Sequence, residues 1–351
     1  MKNIQSLSVG FTYDLKDDYL AMGFTPEEAA EFDVQETIDA IFTTLQKRGY
    51  RVEKIGGVRS LIRRLEQGCR WDLVFNICEG IQGIGREAQV PAILDVYNIP
   101  YVFSDVLVLA LTLHKGMTKS VIRDMGIPTA PFMVAKSLMD LNDHNLQYPL
   151  FVKPVAEGTG KGIGPDSKVL NSRQLRKAVR DRIKQFNPGL LIEEFLPGRE
   201  FTAGIVGSGK DAKVIGVMEV IYRAHESTGI YSYENKANYE HFIDYSIPER
   251  EVYDACSKVA LASWNALNCR DGGRIDLRMD AMGVPNFIEV NPLAGLNPLH
   301  SDLPILARKK GISYSRLLGM IMNSATERIP AKQTKPIVQK AKRHERHYNI
   351  S

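Results

Sequence analysis

The sequence predicts a mixed α/β and α+β protein in which an open parallel layer comes first and antiparallel sheets follow. Three observations predict it. Short apolar strands alternate with helical patterns through the first hundred or so residues, the order expected of a parallel layer. Phe201 to Val206 and Lys213 to Ile221 read as strands of an antiparallel sheet. The third is Gly272 to Pro304, GGRIDLRMDAMGVPNFIEVNPLAGLNPLHSDLP, which alternates apolar and polar residues through Arg274 to Met279 and again through Phe287 to Asn291, with a Met-Gly-Val-Pro turn between.

That last stretch carries the first chemical signal. Side chains two apart in a strand share a face, so Glu289 and Asn291 point the same way, and a neighbouring strand could bring Asp276 alongside. Three oxygen-bearing side chains suit a hard divalent cation, and Mg²⁺ is usually held by one or two carboxylates plus the phosphates of a nucleotide. A solvated acidic hairpin has the same spacing, and spacing alone does not separate the two.

Composition bounds the remaining choices. A chain of 351 residues suits two or three domains with a real core. Its 44% apolar and 25% charged content is that of an ordinary globular protein, and a net charge of +4 demands no nucleic-acid partner. Cys69, Cys78, Cys256 and Cys269 lie without CxxC or His-rich spacing, which argues against zinc and against a disulfide framework. The longest apolar run, Val106 to Leu113, falls far short of a membrane span, and Met1 to Gln5 lacks the apolar segment of a signal peptide. A cytoplasmic protein with no membrane partner is expected.

In chain order, Leu7, Val9 and Phe11 start a strand. A helix is expected from near Pro26, with Val34, Ile38, Ile41, Phe42 and Leu45 on one face and Gly49 as its stop. Tyr50 to Ile55, Asp72 to Ile77 and Pro100 to Phe103 read as further strands, and Glu87 to Tyr97 as a helix. Neither GxGxxG nor GxxxxGK[ST] occurs, so no dinucleotide or P-loop site is supported by motif. A second unit begins near His114, with Met117, Val121, Ile122 and Met125 as a helical stripe that stops at Gly126 and Pro128.

Tyr148 to Pro154 is then a strand, followed by Glu157-Gly158-Thr159-Gly160-Lys161-Gly162-Ile163-Gly164, a loop whose backbone amides can close around an anion. A flexible hairpin tip is the plainer reading, and Lys153 just before the loop leans toward phosphate. Arg173 to Phe186 reads as a basic helix with a solvated face, and Leu190 to Leu196 as a strand entering a Pro197-Gly198 turn. Tyr222 to Asp244 is a polar, tyrosine-rich loop containing Lys236, of a length typical of lids. Glu249 to Leu267 and Ser313 to Ala325 read as helices, and the last twenty or so residues as a mobile basic tail.

Together these pieces resemble an ATP-grasp ligase, and within that superfamily the D-alanyl-D-alanine ligase branch, continuously from about Asp72 to Ile321. The marks are Val74-Phe75-Asn76 through Glu79-Gly80, the Lys115 helix, Lys153-Pro154 with its glycine loop, Ile192-Glu193-Glu194-Phe195-Leu196, Gly273-Arg274-Ile275-Asp276, and Glu289-Val290-Asn291 with Gly295. The resemblance implies an N-terminal open parallel α/β (pre-ATP-grasp) domain over 1–112, two ATP-grasp subdomains over 113–200 and 201–330, and the tail over 331–351. It implies that Lys115 and Lys153 meet the α- and β-phosphates of ATP and that Gly158, Thr159 and Gly160 fold over them. Lys236 would meet the γ-phosphate. The backbone of Glu194, Phe195 and Leu196 would read the adenine edge, Glu193 its amino group, and Glu200 the ribose. Asp276, Glu289 and Asn291 would hold two Mg²⁺ ions and Arg274 would steady the transferring phosphoryl group. The implied reaction phosphorylates a substrate carboxylate, and an amine then attacks the acyl phosphate to give an amide, ADP and phosphate. Amino acids are the implied substrates and a homodimer the implied assembly.

Departures from the family pattern fall on the substrate side. The N-terminal glycine-rich turn is absent, which leaves Glu31 as a candidate for gripping the first substrate's ammonium. Glu79 stands where a histidine is expected, Ala237 where a tyrosine is, and Thr159 where a serine is. Leu299 to Pro304 carries one extra residue, with Ser301 still able to receive a carboxylate and Asp302 adding a negative charge beside it. Asp302 either disfavours a bare D-alanine acceptor or turns to solvent or to Arg308. The competing readings are an authentic D-alanine-D-alanine ligase and a catalytically silent nucleotide-binding protein.

Overall fold

The computed structural model describes residues 7–186, 188–223 and 243–329. Three strands, β1 (Ser8–Tyr13), β2 (Arg51–Lys54) and β3 (Leu73–Ile77), form a parallel sheet in the order β2-β1-β3. Every residue of β3 is buried, as a strand covered on both faces requires. Residues 100–103 join its edge through one bridge, Val74 to Tyr101.

The N-terminal helices are α1 (Lys16–Ala21), α2 (Gln35–Lys47), α3 (Val58–Glu66), α4 (Gln89–Val96) and α5 (Val106–Leu113). The helix expected from Pro26 starts only at Gln35. The chain before it is already paired: the Lys16 amide donates to the Asp33 carbonyl (2.8 Å) and that of Asp33 to Asp14 (3.1 Å). Around Pro26 there is a single turn, closed where the Thr25 amide donates to Glu28 Oε2 and the Glu28 amide to Thr25 Oγ1. Ile38, Ile41 and Leu45 are buried as the periodicity predicts, and Gly49 ends the helix at φ 92°.

The second sheet is antiparallel, in the order β4-β7-β5-β6: β4 (Phe132–Ala135), β5 (Leu150–Pro154), β6 (Lys168–Val169) and β7 (Leu190–Glu194). Leu150, Val152, Leu190 and Ile192 pack with Leu175 and Val179 of α7 (Ser172–Arg182), which leaves Phe151, Lys153 and Glu193 on the opposite face. Arg182 of that basic helix is buried, against expectation, because it binds the Asp166 carboxylate and the Gly162 carbonyl at the end of the glycine loop.

Helix α6 (Lys115–Asp124) turns inward only part of the predicted stripe: Ile122 lies in the core and Val121 packs against it, but the methionines do not. Met117 and Met125 are more than half exposed, whereas Gly116, Thr118 and Lys119 are buried with Ile122. The cause is an ion triad. Glu193 meets Lys119 Nζ at 2.8 Å and Lys153 Nζ at 2.7 Å, with all three side chains at most 6% exposed. Burial alone would raise the Glu193 carboxyl, but the two ammonium groups hold it down at about 2.

The third sheet, antiparallel in the order β10-β9-β8-β11-β12, comprises β8 (Glu200–Val206), β9 (Lys213–Tyr222), β10 (Ile243–Ser246), β11 (Gly272–Met279) and β12 (Pro285–Asn291). Helix α8 (Arg250–Ala266) covers one face through Cys256, Ala260 and Trp264, packed with Phe201, Ala203, Ile275 and Leu277. Helices α9 (Asp302–Lys309) and α10 (Tyr314–Glu327) carry Leu303, Leu317 and Ile321 into the core of the N-terminal sheet. The junction is fixed by Asp271, fully buried, which accepts from the Phe103 amide (2.7 Å) and from Arg328 and Ser324. Tyr222 pairs with Ile243, so the ends of the expected long loop are strands. Lys236, Ala237 and the basic tail lie outside the described residues.

The triad makes a stability prediction. Glu193 has a folded pKa below its unfolded one, so its contribution is complete above about pH 4.5 and is lost as pH falls toward 2. Glu193→Gln leaves two buried ammonium groups uncompensated and is expected to destabilise the fold by about 3 kcal/mol at pH 7. Urea unfolding from pH 7 to pH 3 checks both statements. The difference between wild type and variant is expected to shrink as the pH falls.

Candidate active site

The site is built first on β11 and β12. Their register places Asp276 opposite Glu289 and Arg274 opposite Asn291, with a bulge after Asp276. Ile275, Leu277 and Met279 point into the α8 core, and Arg274, Asp276 and Arg278 therefore share the other face. Arg274 Nη1 donates to both oxygens of Asp276 (2.8 and 2.7 Å) and lies 3.2 Å from Asp302. Thr202 of β8 donates to Asp276 (2.9 Å), and Lys115 Nζ lies 3.4 Å from Glu289. Burial pushes the Asp276 carboxyl up to about 6; Arg274 opposes the rise, while Glu289 and Asp302 add to it.

The second antiparallel sheet forms the opposite wall. Between the walls runs a cleft of about 1080 Å³, including its open mouth. It is lined by Lys115, Lys153, Gly158, Thr159, Gly160, Glu193, Glu194, Phe195 and Leu196 on one side and by Glu200, Arg274, Asp276, Glu289 and Asn291 on the other. All the described residues expected to meet nucleotide or metal thus share one space. Glu200 is raised by burial and accepts from Arg278 (2.9 Å) and Tyr222 (3.1 Å). The glycine loop reverses through Thr159, Gly160 and Gly162, all at positive φ, and the Thr159 hydroxyl is buried without a hydrogen-bond partner among the described residues. A Cβ at Gly162 would lie 2.6 Å from Pro154 and 2.7 Å from Phe186, so the close approach there requires glycine.

A second compartment of about 1690 Å³, open solvent at its mouth included, opens from the first past Lys115, Arg274, Glu289 and Asn291. Glu31, Glu79, Gly295, Ser301 and Asp302 all line it. Ser301 Oγ accepts from the Asn297 amide (3.0 Å), which leaves its own proton for a ligand oxygen. Asp302 turns to neither solvent nor Arg308. It accepts from the Tyr245 hydroxyl (2.8 Å) and pairs with Arg274, while Arg308 donates to the Pro298 carbonyl. Glu31 accepts from the Gly158 amide (2.7 Å) and from Arg86 Nη2 (2.9 Å), so both its oxygens are engaged. Burial opposes the ionised form of Glu31, but Arg86 and Lys161 hold its carboxyl below the usual range. Glu79 is raised by burial and then by Glu87, Glu31 and Asp33; burial also brings Glu87 to about 7.

Among the described residues no three of His, Cys, Asp and Glu form a cage for a metal ion. Asp276, Glu289 and Asn291 nevertheless fit Mg²⁺ as a donor set: hard oxygens on one face, with an adjoining cleft where phosphate oxygens can complete the coordination. Sequence reasoning missed Lys119, Arg86, Glu87, Thr202 and Tyr245. Lys119 sits two residues after Met117 and reads as solvent-facing, and the others gain meaning only from partners distant in the chain.

Comparison with known proteins agrees with this geometry. A family model described as "D-ala D-ala ligase C-terminus" matches residues 121–323. A D-alanine–D-alanine ligase of Parvibaculum lavamentivorans is 31% identical over 291 residues, covering 80% of this chain and 89% of its own. An uncharacterised protein of Sinorhizobium fredii is 30% identical, covering 83% and 87%. Among solved structures, the D-alanine–D-alanine ligase from Bacillus anthracis complexed with ATP superposes with a TM-score of 0.69 over 92% of this chain and 98% of that one, at 23% identity. The VanG D-Ala:D-Ser ligase from Enterococcus faecalis gives 0.70 over 91% and 99%, at 21% identity. Fold, cleft and family model agree, and the chain belongs to the D-alanine–D-alanine ligase family of ATP-grasp proteins.

Proposed function

We propose that this protein is an ATP-dependent, ADP-forming carboxylate-amine ligase acting on amino acids or related small molecules. The observation that carries the reading is the continuity of the two compartments. A cleft with Lys115, Lys153 and Arg274 on its walls opens directly onto a space containing Ser301 and several carboxylates. Lys115, Lys153 and the glycine-loop amides would hold the phosphates of ATP, with the buried Thr159 hydroxyl gaining a partner there. Asp276, Glu289 and Asn291 would hold Mg²⁺, which when bound neutralises phosphate charge.

The roles of the chain's own groups follow from charge. Arg274, placed by Asp276 and Asp302 at the boundary between the compartments, would stabilise the phosphoryl group as it moves to a substrate carboxylate. The acyl phosphate then yields an amide when the second substrate's amine attacks and phosphate leaves. Ser301 would position a carboxylate of that second substrate. Lys236 would meet the γ-phosphate from a lid, and a homodimer through the N-terminal unit is part of the same reading. Division at residues 112 and 200 would separate the N-terminal unit from the two ATP-grasp subdomains.

An authentic D-alanine-D-alanine ligase is the narrower version, supported by the names of the relatives. Glu79 and Asp302, both carboxylates in the second compartment, favour an altered substrate. A silent nucleotide binder has no use for the retained Arg274, Asp276, Glu289 and Asn291.

ADP release that depends on an added amino acid separates the ligase from the silent binder. With a productive pair in hand, Glu289→Gln is expected to lower kcat by about 100-fold or more, with the urea midpoint unmoved. Normal turnover of this variant at limiting Mg²⁺ would remove Glu289 from the metal set.

A further inference from the structure

Arg278 ends the row of cleft-facing side chains on β11, and the pairing of β11 with β8 sets it directly opposite Glu200. Its Nη1 donates to Glu200 Oε2 at 2.9 Å, and the Tyr222 hydroxyl donates to the same oxygen at 3.1 Å. A carboxylate oxygen has two lone pairs, so these two donors fill Oε2 and fix the plane of the group. Glu200 Oε1 has no hydrogen bond among the described residues, and the side chain, 22% exposed, opens onto the cleft.

Arg278 is itself held by more than this ion pair. Its guanidinium carbon lies 4.9 Å from the centre of the Phe195 ring, and its Nε is buried without a hydrogen-bond partner among the described residues. An enclosed donor left unpaired is a cost that an ordinary surface ion pair does not carry, and the contact with the ring offsets it. The surroundings are apolar. Val220 is paired with Glu200 across β8 and β9, and with Ile163, Leu196 and Ile288 it lines the same cleft. Such a lining suits the flat base of a nucleotide, whose sugar would then lie within reach of Glu200. Burial raises the Glu200 carboxyl, and Arg278 is the strongest influence against that rise, which favours the accepting form.

Resting on the ATP-dependent reading above, we infer that Arg278 is the positioning residue for sugar recognition: it fixes Glu200 so that Oε1 accepts hydrogen bonds from the ribose hydroxyls. The preference for a ribonucleotide over its deoxy forms therefore depends on Arg278, which acts through Glu200 and not on the phosphates.

The test uses the full chain with Mg²⁺ and no second substrate, and measures binding of ATP, 2′-deoxy-ATP and 3′-deoxy-ATP by calorimetry. Wild type is expected to bind ATP at least about tenfold more tightly than the weaker of the two deoxy nucleotides. Arg278→Met is expected to lose about tenfold in affinity for ATP while its affinity for that deoxy nucleotide changes by no more than about twofold, so that the preference collapses. Arg278→Lys, which keeps the charge and a donor, should retain part of the preference, and Glu200→Gln should weaken it as Arg278→Met does. Melting temperatures report that each variant is folded. Equal losses for ATP and the deoxy nucleotides in Arg278→Met would make Arg278 a purely structural residue and overturn the inference, as would wild-type binding that ignores the sugar hydroxyls. An Arg278-dependent ribose preference without any amino-acid-dependent phosphate release would keep the inference and overturn the ligase reading. No nucleotide binding by the wild type would overturn both.

Discussion

The pairing of β11 with β12 is the constraint on which the rest of the site depends. Because alternate residues of a strand face opposite ways, one register both buries Ile275, Leu277 and Phe287 and presents Arg274, Asp276, Glu289 and Asn291 to the cleft. A slip by one residue would exchange the two sets, placing charges in the α8 core and apolar groups in the cleft. Function and stability are therefore specified by the same backbone hydrogen bonds. The facing sheet obeys the same rule, with Leu150, Val152 and Ile192 in its core and Lys153 and Glu193 on its cleft side.

Charge divides the two compartments. The first compartment pairs its lysines with Glu193 and Glu289, so cations reach the cleft already placed by carboxylates that hold them in fixed geometry. The second compartment is acidic on its N-terminal wall. Arg274 and Lys115 stand where the two meet, the position in which a carboxylate and a phosphoryl group would both need positive charge. Glu31 couples the N-terminal unit to the glycine loop mechanically, through the Gly158 amide, and electrostatically, through Arg86.

Much of the fold was legible in the sequence because it rests on local periodicity. Period-two alternation located β11 and β12, and glycine stops located the ends of α2 and α6 at Gly49 and Gly126. The misreadings come from contacts distant in the chain. Helix α2 begins late because Asp33 is paired with Asp14 and Lys16, a tertiary fact invisible to a helical pattern. Met117 and Met125 were expected to face inward on hydropathy, yet the buried face is set by the ion pair of Lys119 with Glu193. Among site residues, those in strands and the glycine loop could be aligned by motif. Asp302 gained its partners, Tyr245 and Arg274, only through folding, and the tethering of Glu31 to Gly158 spans 127 positions.

The central claim is that a substrate carboxylate is activated by phosphoryl transfer. It is tested most directly by supplying ¹⁸O in the carboxylate of an amino acid that supports turnover and analysing the released phosphate by mass spectrometry. Passage through an acyl phosphate predicts one ¹⁸O atom transferred to each phosphate. Turnover that releases phosphate without ¹⁸O would contradict the account.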